Sequence, residues 1–272
     1  MIRIFYVDAF TKELFKGNPA AVCILEEWPG DDILQAIAFE NNLSETAFVN
    51  LREDPLQIRW FTPTLEVELC GHATLATARI LFDEYFQNDT KISFQSKSGE
   101  LIALQKDDMI YLDFPIDHPA VIESESLITE SLKCEPIEIL KGRSDYLAIL
   151  ASEKDIKNLQ PDFFTMAELN SRGLVVSAES SKFDFISRCF YPQTGVNEDP
   201  VTGSAHCMLA AYWGKKLNKN KLNAYQASPR GGYLQCEISN ERIILGGLSK
   251  RYLEGTITVS YTHLRAHETI AD

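Results

Sequence analysis

Two stretches of this chain have helical spacing yet are apolar almost all the way round, and few folds can accommodate such segments. The first runs from Gly71 to Phe86 and carries Ala73, Leu75, Ala76, Ala78, Ile80 and Leu81; the second runs from Ser204 to Lys216 behind Gly203. A helix without a polar face is a buried helix. Its small residues let surrounding strands come close to its backbone. Laid on each other, EVELCGHATLATARIL from Glu66 and EDPVTGSAHCMLAAYW from Glu198 pair Glu66 with Glu198, Gly71 with Gly203, Ala73 with Ala205 and Ala78 with Ala210. The match predicts an internal duplication, each copy built around one buried helix.

The segments between these helices read mainly as strands. Ile2 to Phe10 alternates with β-branched and aromatic residues, and a Gly17-Asn18-Pro19 turn follows. Asp31 and Asp32 open a helix that stops near Asn41-Asn42, their charge suiting the positive end of its dipole. Short strands are expected at Glu45 to Asn50, Leu56 to Phe61, Lys91 to Gln95, Glu100 to Gln105 and Met109 to Phe114. Pro115 and Pro119 punctuate a boundary. Beyond it, strands are expected at Ile137 to Lys141, Tyr146 to Leu150, Leu174 to Ala178 and Phe183 to Tyr191, with helix between Asp155 and Leu169. Further strands follow at Leu234 to Ser239, Arg242 to Leu245 and Thr256 to Tyr261. A length of 272 residues fits two domains at roughly 100 to 200 residues each, divided as 1–116 and 117–261. The last residues, 262–272, lose the alternation and read as a non-native tail.

The net charge of -13 repels polyanions, and no local basic patch offsets it, so nucleic-acid binding is disfavoured. No run approaches the roughly 20 apolar residues of a membrane span. The N-terminus lacks the apolar run of a signal peptide. The six cysteines are scattered with no CxxC pair, as expected for reduced, buried thiols in a cytoplasmic protein.

Glycine at a strand-to-helix junction lets the chain turn sharply and leaves N–H groups facing a ligand, an arrangement suited to carboxylate or phosphate. Gly71 and Gly203 supply that junction twice. Glu45, in Ser44-Glu45-Thr46-Ala47-Phe48, lies at a helix-to-strand crossing beside apolar residues; a carboxyl there has a raised pKa and can exchange protons near neutrality. A rival acid-base group is the Cys70 thiol next to His72, but sequence neighbours at a helix start rarely face each other, and the counterpart of Cys70 is Thr202. His72, His206 and Cys207 lack the spacing of a metal site, so none is expected. Asp199, ahead of Pro200, either accepts a hydrogen bond from substrate or holds its loop. No GxGxxG, Walker or GxSxG motif is present.

Asp8-Ala9-Phe10, Gly17-Asn18-Pro19-Ala20-Ala21-Val22, Ser44-Glu45-Thr46-Ala47-Phe48, Leu69-Cys70-Gly71-His72-Ala73-Thr74 and Asp199-Pro200-Val201-Thr202-Gly203-Ser204-Ala205, in this order, resemble the phenazine-biosynthesis PhzF-like family of the diaminopimelate epimerase-like superfamily. The resemblance implies an α+β fold of two similar domains, each a β-barrel-like sheet wrapped around a central helix. It implies a cofactor-independent isomerase, usually a homodimer, whose site lies between the domains. Glu45 then falls on the catalytic glutamate, with His72 and Asp199 beside it. Asn18, Gly71, Ala73, Gly203 and Ser204 fall on substrate-binding positions, the helix starts holding a carboxylate of a small anionic substrate. The paired cysteines of the epimerase branch fall on Cys70 and Thr202, which disfavours two-thiol racemisation. The alternative is a non-catalytic member of the same fold that binds a metabolite or a protein.

Overall fold

The computed structural model describes residues 1–259. The tail expected at 262–272, and the end of the strand expected at Thr256 to Tyr261, lie outside the described residues. In chain order the first half contributes β1 (Ile2–Ala9), β2 (Asn18–Leu25), α1 (Asp31–Asn41), β3 (Glu45–Asn50), β4 (Leu56–Phe61), β5 (Glu66–Val67), α2 (Gly71–Glu84), β6 (Lys91–Ser96), β7 (Gly99–Lys106) and β8 (Met109–Pro115). Then come β9 (Ala120–Val121), α3 (Ser126–Leu132), β10 (Glu138–Lys141), β11 (Asp145–Ile149), α4 (Glu153–Asn158), α5 (Phe163–Met166) and β12 (Gly173–Glu179). The chain continues through β13 (Phe185–Tyr191), β14 (Val196–Asp199), α6 (Gly203–Leu217), β15 (Lys221–Gln226), β16 (Gly232–Ser239), β17 (Arg242–Gly247) and β18 (Ser249–Ile257).

The strand pairing is the same in both halves. β1 is antiparallel to β2, β2 parallel to β3, β3 antiparallel to β4, β4 parallel to β6, and β6, β7 and β8 are antiparallel in turn. β10, β11, β12, β13, β15, β16 and β17 repeat each of these relations. The copies meet where β8 lies antiparallel to β17, with Leu112 opposite Leu245. Each then passes a strand to the other: β9, following β8, pairs with β10, and β18, following β17, pairs with β1.

This topology explains the two apolar helices. Ala73, Leu75, Ala76 and Ala78 of α2 and Ala205, Leu209, Ala210 and Trp213 of α6 belong to one buried cluster, together with one face of the strands. The opposite face of β2 and β3 is covered by Leu34, Ile37 and Ala38 of α1, and that of β11, β12 and β13 by α3, α4 and α5. Strands covered on both faces read as continuous apolar runs, as Ala20 to Leu25 does.

Several elements depart from the sequence expectation for identifiable reasons. The helix expected from Asp155 to Leu169 is two short helices, capped by the Ser152 and Asp162 side chains, because Pro161 cannot continue the first. β2 begins at Asn18, where the expected turn would lie, since Pro19 sits in the strand at Asp8 opposite it. β15 and β18 carry charged residues on exposed positions, which hides their strand character.

Candidate active site

The starts of α2 and α6 meet head to head. A Cβ built on Gly71 would lie 3.9 Å from the Gly203 Cα, and one built on Gly203 the same distance from the Gly71 Cα. Neither helix has a side-chain N-cap; Cys70 and Thr202, both extended, precede them. Apart from the Ala73 N–H, which meets the Cys70 thiol, the first N–H groups of each are thus left to a ligand or water.

Glu45 reaches this junction because α1 ends in a left-handed Asn42 (φ 48) and the chain then enters β3. The turn is fixed by Tyr6, whose hydroxyl donates to Asn41 Oδ1 (2.8 Å), while Asn41 Nδ2 donates to Thr46 Oγ1 (3.1 Å). Glu45 shares its strand face with Ala47 and Val49, which point into the main core. Its Oε2 lies 3.5 Å from His72 Nε2, with the side chains 20% and 7% exposed. Burial, reinforced by repulsion from Asp199 and opposed by a hydrogen bond to Cys70, pushes the Glu45 carboxyl up to about 8. Burial also lowers His72 to about 4, so its ring is neutral at pH 7. Asn18 Nδ2, which can only donate, lies 3.3 Å from His72 Nδ1, a neighbour that suits a ring proton on Nε2, toward Glu45.

Asn18 ties the two halves together. Its Nδ2 donates to Asp199 Oδ1 and to the Val201 carbonyl, each at 2.9 Å. Gly17 makes this placement possible: its φ is +65, and a Cβ there would sit 2.1 Å from the Ala9 carbonyl oxygen. The other Asp199 oxygen accepts from the Thr202 hydroxyl. Burial raises the Asp199 carboxyl to about 6, with the Thr202 and Asn18 hydrogen bonds opposing. Thr202 N and Gln226 Nε2 complete the loop, bonding Gln226 Oε1 (2.9 Å) and the Asp199 carbonyl (2.8 Å).

The sequence-predicted residues therefore converge from both halves. Asn18 links His72 and Asp199, and Glu45 stands 3.5 Å from His72 Nε2, all beside Gly71 and Gly203. Ser204, in the first turn of α6, lies on the far side and is exposed. Ala73 is buried and its N–H bonds the Cys70 thiol. Cys70 Sγ lies 3.5 Å from His72 Nδ1, yet burial and the Glu45 charge push its pKa well up, so it is a thiol rather than a thiolate at neutral pH. Glu45, Cys70 and His72 hold donor atoms within 4.8 Å of one another. A cation there would compete with the protons of the carboxyl and the thiol.

Arg172 was not anticipated from the sequence. It immediately precedes β12; its Nη2 donates to Ser204 Oγ at 3.1 Å, and its Nε donates to Asp145 Oδ1 at 2.9 Å. The repeat explains its position. Leu56 opposite Phe94 and Phe185 opposite Ala224 occupy the same parallel pairing. Phe61 then matches Phe190, and their partners Thr46 and Leu174 match each other. Glu45 thus corresponds to Gly173, and Ser44 to Arg172.

A family model for phenazine biosynthesis-like proteins matches residues 7–257. The chain belongs to this family. A Pseudomonas aeruginosa protein named as an uncharacterized isomerase is 47% identical over 256 residues, covering 94% of this chain and 98% of its own. A crystal structure of a PhzF-family phenazine biosynthesis protein from Enterococcus faecalis is 44% identical, with a TM-score of 0.92, covering 95% of this chain and 99% of its own. A hydroxyproline epimerase from Agrobacterium vitis, 10% identical with a TM-score of 0.61 over 93% of this chain and 91% of its own, shares the fold alone. The fold is the α+β diaminopimelate epimerase-like fold, and the family function is of the isomerase type. Among the described residues no helix is long and apolar enough to cross a membrane.

Proposed function

We propose that the protein is a cofactor-independent isomerase in which Glu45 moves a proton on a small carboxylate-bearing metabolite. The observation that carries this reading is the Glu45 carboxyl, held 3.5 Å from His72 Nε2 beside the paired helix starts and raised to about 8. A group with that pKa exchanges protons readily near neutrality. The helix-start N–H groups at Gly71 and Gly203 bind the substrate carboxylate, and the neutral His72 donates from Nε2 to charge that develops during transfer. Asp199 and Asn18 hold the substrate and the loop.

A single acid-base group is favoured by the repeat itself. The position matching Glu45 is Gly173, where a Cβ would lie 2.2 Å from the Tyr191 ring and 2.4 Å from the Phe190 carbonyl oxygen. The second half has no space there for another carboxyl. Glu45 then removes a proton from carbon and returns it elsewhere on the same molecule, rather than passing it between two bases. We assign residues 1–116, joined by β18 on β1, and residues 117–248 to two domains flanking this site, and a cytoplasmic homodimer as the working state; the unpaired cysteines, buried except for Cys134, accord with a reducing compartment.

Incubation in deuterated water with a turned-over substrate tests the assignment. Deuterium is expected at the isomerised carbon with the wild-type chain, and Glu45→Gln is expected to lose at least about a hundredfold in rate, the usual range for a general acid-base group. Undiminished turnover by Glu45→Gln would remove Glu45 from this role.

A further inference from the structure

The two sides of the helix junction are chemically unlike, and the repeat shows how. Where the first half sets Glu45 against His72, the second sets Arg172 against Ser204, the residue that matches His72 in the pairing of Gly71 with Gly203. The guanidinium is fixed on three sides. Nε and Nη2 grip the two oxygens of Asp145, Nη2 also donates to Ser204 Oγ, and the Tyr191 ring lies 5.1 Å below its carbon. Asp145 is buried while the Arg172 side chain is 40% exposed, so the ion pair is anchored from within and the cation faces outward. Nη1 makes no hydrogen bond among the described residues and is not among the buried unpartnered atoms. Its two protons are free in a protein of net charge -13.

We propose that Arg172 recognises a second carboxylate on the substrate, across the helix junction from Glu45, so that the substrate is a dicarboxylate. This rests on the reading of Glu45 and the helix starts given above. If the first carboxylate lies on the N–H groups where Gly71 meets Gly203, the reacting carbon faces Glu45 and His72. The remainder of the molecule then points to Ser204 and Arg172. Planar guanidinium matches carboxylate geometry, and one already immobilised by Asp145 loses little entropy on binding it. Asp145 is accordingly a positioning residue.

The test compares two ligands with the same six-carbon diene, trans,trans-muconate with two carboxylates and sorbate with one, by calorimetric titration of the full chain at pH 7. The variants are Arg172→Lys and the double variant Arg172→Gln/Asp145→Asn, which leaves no buried carboxylate without its partner. Wild type is expected to bind muconate at least about tenfold more tightly than sorbate, the scale of one charge-assisted hydrogen bond. In the double variant the preference is expected to shrink to about twofold or less, with sorbate affinity unchanged; Arg172→Lys is expected to fall between. Equal binding of the two ligands by wild type, including binding of neither, overturns the proposal. So does a preference that survives in the double variant. The titration involves no proton transfer, so it stands or falls separately from the deuterium experiment: Glu45→Gln is expected to keep the preference for muconate while losing exchange.

Discussion

Glu45 and His72 depart from their ordinary pKa values in opposite directions, and each departure links activity or stability to pH. Glu45, about 8 when folded against an ordinary 4.5, binds a proton more readily in the native state. Its contribution is present in full below pH 4.5 and is lost as pH rises toward 8. Glu45→Gln, which stays neutral, is therefore expected to be more stable than wild type above pH 8, by on the order of a few kcal/mol, and to converge with it near pH 4. Denaturant titrations across that range read the difference. His72 runs the other way, from an ordinary 6.5 to about 4, so the stability tied to its neutral ring is lost as pH falls from 6.5 through 4. The kcat/KM profile is expected to rise to a plateau above a midpoint near 8 as the Glu45 carboxylate forms, and a profile flat between pH 6 and 9 would contradict Glu45 as the base. Glu45 was legible because its neighbours Ser44 to Phe48 are distinctive. Arg172 was not: it looks like an ordinary turn residue between Ser171 and Gly173. Its relation to Ser44 depends on strand pairing that crosses segments of unequal length.

At the level of elements, the glycines separate into those that make room for a ligand and those that make room for the protein. A Cβ on Gly71 meets Phe114 at 3.5 Å and the Gly203 Cα at 3.9 Å, which are ordinary contacts. Gly71→Ala is expected to change stability by less than about 1 kcal/mol yet to weaken carboxylate binding, because the methyl group occupies the junction where the N–H groups point. Gly173→Ala is expected to cost about 3 kcal/mol or more, because its methyl group would overlap the Tyr191 ring and the Phe190 carbonyl. Thermal denaturation together with muconate titration separates the two. The buried helices α2 and α6 were visible in the sequence from their missing polar face. β2 was obscured by the Gly17-Asn18-Pro19 signal, which ends the connection between antiparallel β1 and β2 and delivers Asn18, already in the strand, to Asp199 and Val201. The break at Pro161 was readable in principle, since proline in a helix interior removes a hydrogen bond.

For the molecule as a whole, the order of strands in each half was beyond sequence reasoning, because β18 returns from far along the chain to β1 and the parallel pairs β4–β6 and β13–β15 bring together strands that are not consecutive. β18 is mostly exposed, so it contributes backbone pairing to β1 more than buried apolar surface. A chain ending at residue 248 is expected to keep its circular-dichroism spectrum and much of its core while exposing the β1 edge. Sedimentation velocity is expected to show species larger than those of the full chain; an unchanged distribution would mean that β1 needs no cover.

The same exchange sets a schedule for synthesis. β1 leaves the ribosome well before its outer neighbour, Ser249–Ile257, since every other strand is made between them. Until β18 emerges the nascent first half holds one open hydrogen-bonding edge, and β10 gains β9 long before β1 gains β18. The second copy thus has its borrowed strand ready in advance, whereas the first must wait, and crowding by neighbouring nascent chains would be felt at β1 before anywhere else.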